Sequence, residues 1–403
     1  MTRTVYINAN LLDGDHPARK GAAVVVEDGR ITAVSPVPPR DGDTVIDLRG
    51  RTLMPGMVSG HYHAVYGRPD GNPGGTRDAE PIQQAYWALG NAQIALRAGV
   101  TSVVGAATFH DIDATLARSI DAGGVLGPRF VPASRALSPT VKDDSGQIVS
   151  HVLQCDGPEA FRRGALHEIE RGAKVIKIFA GEGHGQFVGR DMTEAELRAA
   201  VDAAHEHGAR VRAHVAGRDN VMLCARAGVD ILDHGDGLDE ACIDAIAESG
   251  AFLLPSVYLP YVAIRNGGKG GSGFFSQADL DHSCAMLGHA IAAGVKLVPG
   301  DDYGAAELPH GTYARELACY VDYAGISPLE VISWATRNGG AMTGIADLGT
   351  VAPGKLADML VVDGDPSVDI TVLSRPECLL AVIKDGTVVS GALPAAIREP
   401  ALT

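Results

Sequence analysis

His61 and His63 stand two residues apart in MPGMVSGHYHAVYG, a run that reads as a β-strand leaving a turn. Residues i and i+2 of a strand point to the same side, so both imidazoles can reach one cation. The same spacing on a helix fails. His205 and His207, in the helix-like TEAELRAAVDAAHEHG, diverge by about 200° at roughly 100° per residue. Further along, Lys177, His214, His234 and the pair Asp301-Asp302 lie inside or at the ends of β-rich apolar runs. Buried parallel strands are near-continuous hydrophobic runs, so a Lys or His within them needs a reason. One metal centre supplies it for all of them, because imidazole and carboxylate oxygen are ligands for divalent transition ions.

The elements that carry these residues alternate between strand-like and helix-like runs, the pattern of a parallel sheet covered by helices. Eight strands are expected: GMVSGHYH, TSVVGAAT, RFVPASRAL, AKVIKIFAG, ARVRAHVAG, VDILDHG, AFLLPSV and VKLVPGDD. Helices are expected between them, near 78–98, 110–123, 156–172, 193–207, 217–227, 238–249 and 276–293, with a final pair near 314–324 and 328–341. Eight consecutive units predict a (β/α)8 barrel of class α/β, with a doubly wound open sheet as the alternative. In such a barrel the active-site residues gather at the C-terminal ends of the strands. The two ends of the chain read differently. Hairpin signals at Asp28-Gly29 and Asp385-Gly386 separate short β runs, so residues 1–55 and 347–403 are expected to form one small β-sandwich flanking a barrel of residues 56–346.

The length of 403 residues fits one barrel of about 250 residues plus an accessory domain. A formal charge of −15 argues against nucleic acid or an anionic membrane as partner, since both call for a basic patch. The six cysteines are scattered without a CxxC pair, which points to a reducing cytoplasm and away from a disulfide framework. The N-terminus lacks an apolar signal core, and no apolar run reaches the roughly 18 residues of a membrane span. The expected partner is a small-molecule substrate, and the expected state is a homo-oligomer.

Several blocks together resemble the amidohydrolase superfamily, in its imidazolonepropionase-like and prolidase-like branch, over nearly the whole chain. They are MPGMVSGHYH, RAGVTSV, CDGPEAFR, GAKVIKIFA, RVRAHVAG, ILDHG, GVKLVPGDD and ATRNGGAMTGIADLGTVAPGKLADMLVVDGDP. The resemblance implies a distorted barrel with a terminal β-sandwich. It also implies one or two divalent ions, zinc first with manganese or iron as alternatives. His61 and His63 would bind one ion, His214 and His234 the second, and Lys177 would bridge them as a carbamate; Lys174, three residues away, faces the opposite side of the strand. Laying GVKLVPGDDYG on the family pattern makes Asp302 the strand-eight ligand and proton carrier, with Asp301 as its rival. Asp302, His234 and Lys177 are thus the expected catalytic residues.

The implied reaction is attack by a metal-activated hydroxide on an amide or cyclic amide C–N bond, in a dipeptide or N-acyl amino acid for example. Hydrolytic displacement of a group from an electron-poor heterocycle is the alternative, and a non-catalytic small-molecule-binding barrel a third. The loops GAATFHD, SPTVKDDSG and GEGHG depart from the branch, which leaves the substrate open. His184 and Tyr258 are the candidate substrate-binding residues, and the Gly-rich stretch from Arg265 to Phe275 is a candidate lid.

Overall fold

The computed structural model describes residues 3–72, 79–140, 152–181, 190–267, 275–304 and 308–396. The chain opens with five strands: β1 (Thr4–Leu11), β2 (Arg19–Glu27), β3 (Arg30–Val34), β4 (Thr44–Asp47) and β5 (Thr52–Pro55). Asp28 and Gly29 turn the β2–β3 hairpin with φ of 49° and 76°, the left-handed geometry that a two-residue Asp-Gly turn supplies. Alternation of strands and helices follows, with β6 (Met57–Tyr62), α1 (Pro81–Arg97), β7 (Val100–Gly105), α2 (Ile112–Asp121), β8 (Arg129–Val131), β9 (Ala136–Ser138) and β10 (Val152–Gln154). Then come α3 (Pro158–Glu170), β11 (Val175–Phe179), α4 (Glu194–Glu206), β12 (Arg210–Ala216), α5 (Arg218–Ala227), β13 (Ile231–Asp236), α6 (Glu240–Ser249) and β14 (Phe252–Pro255). After α7 (Tyr258–Arg265), α8 (Gln277–Ala292) and β15 (Lys296–Leu297), the chain ends through α9 (Tyr313–Asp322), α10 (Pro328–Ser333), α11 (Gly339–Thr343), β16 (Met359–Val362), β17 (Leu379–Lys384) and β18 (Thr387–Gly391).

The chain divides into two compact units. One contains Met1–Val58, Ala95–Ser102 and Gly311–Thr403; the other contains Ser59–Ile94 and Val103–His310. In the first, both ends of the chain build one eight-stranded sheet in the order β18-β17-β16-β5-β1-β2-β3, with β4 on β1. Strand β16 runs antiparallel to β5 from Met359 opposite Pro55 to Val362 opposite Thr52. Leu11, Val24, Ile31, Leu53, Met359, Val361 and Ile383 bury its core, so residues from the two ends of the sequence share one hydrophobic cluster.

In the second unit β10-β9-β11-β12-β13-β14-β15 form a sheet whose pairings are all parallel, and β6-β7-β8 form another. Hydrogen bonds link the two at β11 and beyond β15. The Ser134 amide donates to the Val175 carbonyl at 2.9 Å, and the Gly60 amide donates to the Pro299 carbonyl at 2.9 Å, with a parallel bridge between Tyr62 and Tyr303 beside it. The expected third strand, RFVPASRAL, is broken into β8 and β9 around Pro132, which has no N–H to give to a ladder. The expected eighth strand is regular only over Lys296 and Leu297; beyond it the Val298 amide still reaches the Leu253 carbonyl, and Pro299, with no N–H, serves only as an acceptor.

Helix starts follow the local chemistry. Thr193 and Glu196 form a reciprocal capping box on α4, and the Asp239 side chain accepts from the Cys242 amide on α6. The eight-residue α7 is a helix that apolar periodicity did not signal. No helix among the described residues is long and apolar enough to cross a membrane.

Candidate active site

Strand β6 delivers His61, and His63 follows it one residue past the strand end. Their Nε2 atoms lie 3.0 Å apart. Asp302, after β15, reaches the same point, with Oδ1 2.7 Å from His61 Nε2 and 3.5 Å from His63 Nε2. What brings β6 and this aspartate together is Gly300, whose φ is 155° and where a Cβ would stand 2.3 Å from the His61 amide nitrogen. Only glycine permits that approach.

His234 and His214 continue the cluster. The His61 and His63 ring centroids are 4.9 Å apart, those of His61 and His234 5.2 Å and those of His214 and His234 4.7 Å, so four imidazoles, from β6 and the residue after it, β12 and β13, follow one another ring to ring. Half-buried Tyr66 stacks on His63 at 4.0 Å and 11°, and Phe179 meets His214 edge-on at 5.2 Å. His234 owes its direction to an irregular backbone. Its φ is 70°, and the β12–β13 register shifts between Val215 opposite His234 and Ala216 opposite Asp236. Strict alternation would send Asp233 and His234 to opposite faces, whereas here both side chains reach His61. A histidine held at positive φ is strained backbone of the kind found at functional sites.

Under these rings lies a buried charged network. Lys177 Nζ donates to Asp233 Oδ2 at 2.6 Å. The Arg212 guanidinium grips the same carboxylate with Nε at 3.1 Å and Nη2 at 2.5 Å, while its Nη1 donates to the carbonyls of Gly60 at 3.0 Å and Gly105 at 2.6 Å. Both Arg212 and Asp233 are fully buried. Burial pushes the Asp233 carboxyl up, but Arg212, Lys177 and His61 outweigh it and hold the group well below the usual carboxylate range. Asp302 behaves alike: burial raises it, and the surrounding His61 and His234 bring it well below that range. Burial lowers Lys177 and takes His63 down to about 4, so His63 is a neutral imidazole at pH 7.

This donor set fits a divalent ion. Two imidazole nitrogens each about 2.0–2.1 Å from a tetrahedral ion stand roughly 3.3 Å apart, close to the spacing of His61 and His63, and a carboxylate oxygen completes a ligand group within 4.8 Å.

The structure therefore brings together His61, His63, Lys177, His214, His234 and Asp302. It places Asp301 elsewhere: its carboxylate accepts from Ser256 Oγ and the Leu259 amide, each at 2.7 Å, and so anchors the start of α7. Lys174, just before β11, is exposed, whereas Lys177 within the strand is buried. Tyr258 is buried as the first residue of α7. His184 and most of the Gly-rich candidate lid lie outside the described residues. His205 and His207 diverge as expected, one to Asp230 and the other to the Ala203 carbonyl. Arg212 and Asp233 were missed by sequence reasoning. A usable signal existed for Arg212, because the argument that a charge inside a buried strand needs a reason applies to it as much as to Lys177.

The family model of the amidohydrolase family matches residues 52–389, a span that contains every residue of this cluster. The chain belongs to the amidohydrolase family. Among its relatives is ochratoxinase of Aspergillus niger, 27% identical over 96% of this chain and 87% of that protein. Imidazolonepropionase of Nocardia farcinica is 26% identical over 93% of each. A prolidase solved in complex with N-methylphosphonate-L-proline superposes with a TM-score of 0.85 at 27% identity, covering 97% of this chain and all of that one. This amidohydrolase is an enzyme, a hydrolase acting on C–N bonds. Its family generally uses divalent metal ions, in keeping with the His61, His63 and Asp302 group.

Proposed function

We propose that this amidohydrolase cleaves an amide or cyclic amide bond in a small molecule such as a dipeptide or N-acyl amino acid, at a centre for one or two divalent ions, zinc foremost. The observation that carries this reading is the convergence of His61 Nε2, His63 Nε2 and Asp302 Oδ1 within 4.8 Å. In this reading His61, His63 and Asp302 hold the first ion and His214 and His234 the second. Lys177, if carboxylated at Nζ by CO2 with release of a proton, would add an anionic oxygen ligand to these histidines, and its remaining N–H would still suit the Asp233 oxygen, 2.6 Å from Nζ. When bound, a divalent ion supplies Lewis acidity, acidifying water toward a pKa of about 7 and polarising the scissile carbonyl.

The protein's own groups do the rest. Asp302, an anion at neutral pH, takes a proton from the attacking water and returns it to the departing amine. His234, beside His61 and His214, orients the substrate oxygen, and Tyr258 is the candidate substrate contact among the described residues. The same reading takes the parallel strands as a closed barrel, supported by the hydrogen bonds from Ser134 to Val175 and from Gly60 to Pro299 that link the two sheets, and the terminal strands as a β-sandwich, with boundaries at 1–55, 56–346 and 347–403. We also propose a cytoplasmic homo-oligomer without nucleic-acid or membrane partners; none of its six cysteines is in a disulfide, which fits a reducing compartment.

The test is elemental analysis of purified protein followed by a substrate screen with products identified by mass. One or two zinc, manganese or iron ions per chain and amine release from dipeptides or N-acyl amino acids support the reading. Active protein free of metal refutes the centre, and ammonia release from heterocycles alone would move the reaction to deamination.

A further inference from the structure

The buried network beneath the histidines has a feature that structural support alone does not explain. Arg212 spends its whole guanidinium inside the fold: two nitrogens on Asp233, a third on the Gly60 and Gly105 carbonyls. Gly60 directly precedes His61, so one arginine ties the backbone of the first histidine to the carboxylate beside that histidine's ring. The other edge of that carboxylate faces the site. Asp233 Oδ2 receives Lys177 Nζ, and Asp233 Oδ1 stands 3.2 Å from His61 Nδ1. That Nδ1 is buried, and at 3.2 Å Asp233 Oδ1 is the acceptor beside it, although the contact falls short of a well-formed hydrogen bond. A small turn of the imidazole closes it, and the turn leaves Nε2 toward His63 and Asp302 as the bare lone pair.

We infer that Asp233, locked in place by Arg212, is a positioning residue that fixes the ring orientation and tautomer of His61 and holds the side-chain nitrogen of Lys177. The inference rests on the reading of His61 as a metal ligand. Its physical basis is general. A ligating imidazole offers one nitrogen to the ion only when the other carries the proton, and an anionic acceptor at that second nitrogen fixes the tautomer and strengthens the donor. Arginine suits the supporting task better than lysine would, because its planar fork engages both carboxylate oxygens at once and keeps the acceptor from rotating. The bend at His234 is part of the same device. By breaking strand alternation it lets two neighbouring residues, Asp233 and His234, serve one site.

The test compares wild type, Asp233→Asn and Arg212→Lys after metal removal. Zinc affinity is measured by competition with a chromophoric chelator, cobalt-substituted proteins are compared by visible absorption, and thermal unfolding of the metal-free proteins is recorded. Asp233→Asn keeps shape and one carbonyl oxygen but loses the anion; it should bind zinc about 10–100-fold more weakly, with a changed cobalt band. Arg212→Lys keeps the charge but loses the fork, and should show an intermediate loss. A merely structural ion pair would lower the metal-free unfolding temperature and leave zinc affinity and the cobalt band of the folded protein as in wild type; that result overturns the inference. Should Asp233→Asn fail to fold, Arg212→Lys decides it, a several-fold loss supporting the inference and unchanged affinity overturning it. Wild type that binds none of zinc, manganese or iron refutes the metal centre and this inference with it, whereas wild type that binds zinc no better than Asp233→Asn removes the inference alone.

Discussion

Replacing Asp113 by asparagine should stabilise the protein at pH 8, although it removes a charge from a fully buried site. Asp113 lies in the first turn of α2, with Oδ2 3.4 Å from the Ala133 amide and Oδ1 buried without a hydrogen-bond partner. Gly105 packs so closely that a Cβ there would be 2.5 Å from Oδ2. Burial pushes the carboxyl up from 3.8 to about 7, against the smaller lowering by Thr108 and the Ala133 amide. The helix N-terminus favours the anion by about 0.3–1 kcal/mol, too little to reverse a shift of this size.

Between pH 3.8 and about 7 the folded chain holds a proton at Asp113 that the unfolded chain has released, so stability falls as pH rises through that window and is flat above it. A rise from 3.8 to about 7 corresponds to roughly 4 kcal/mol. Asparagine has the same shape and never ionises. The stability gap between variant and wild type should therefore be under about 2 kcal/mol at pH 5 and grow by about 2.5 kcal/mol on going to pH 8. Urea unfolding of both proteins at the two pH values measures the gap through the denaturation midpoints. A gap that stays constant with pH, or a variant less stable at pH 8 than at pH 5 relative to wild type, would refute the argument.

Three further outcomes are expected. Gly300→Ala should lose metal and activity by about 100-fold or more, because the new Cβ must displace the His61 backbone; a metal-replete, active variant would show that this approach is dispensable. Asp302→Asn should lose turnover by at least about 100-fold. Asp301→Asn should instead cost about 1–3 kcal/mol of stability through Ser256 and Leu259 and retain metal, and the reverse pattern would exchange their roles. Glu196, drawn down to about 2 chiefly by the Arg190 hydrogen bond and also by the Thr193 and Gly157 amides, contributes stability that is present above about pH 4.5 and lost as pH falls through about 2. Glu196→Gln should then be roughly 2–3 kcal/mol less stable at pH 7, discounting for the half-exposed Arg190, with the difference closing in acid; a difference that persists at pH 2 contradicts it.

The local rules that acted through short range were readable in the sequence. Period-two spacing put His61 and His63 on one side of a strand, and period-3.6 spacing separated His205 from His207. Apolar runs located most of the strands and helices to within a few residues, β10 and α7 excepted, and the lysine and histidines inside them stood out because burial of a polar group demands compensation. Asp-Gly turns marked the terminal hairpins. Proline explains in retrospect why the third and eighth strands are shorter than their apolar runs, since a missing N–H interrupts a ladder whatever the hydrophobicity around it.

Other features depended on the assembled fold. Asp301 and Asp302 are chemically identical neighbours, and the choice between them follows from the Gly300 backbone, which turns one toward His61 and the other toward Ser256 and α7. Asp233 reads as a residue on the wrong face of its strand until the positive φ of His234 is known. Arg212 finds its acceptors on β6 and β7, more than a hundred residues earlier in the chain. Sequence by itself determined which residue types had to be held out of water and in what elements. Tertiary structure decided which of them meet, because the direction of a side chain at a strand end is set by backbone torsions and by long-range pairing that no local pattern encodes.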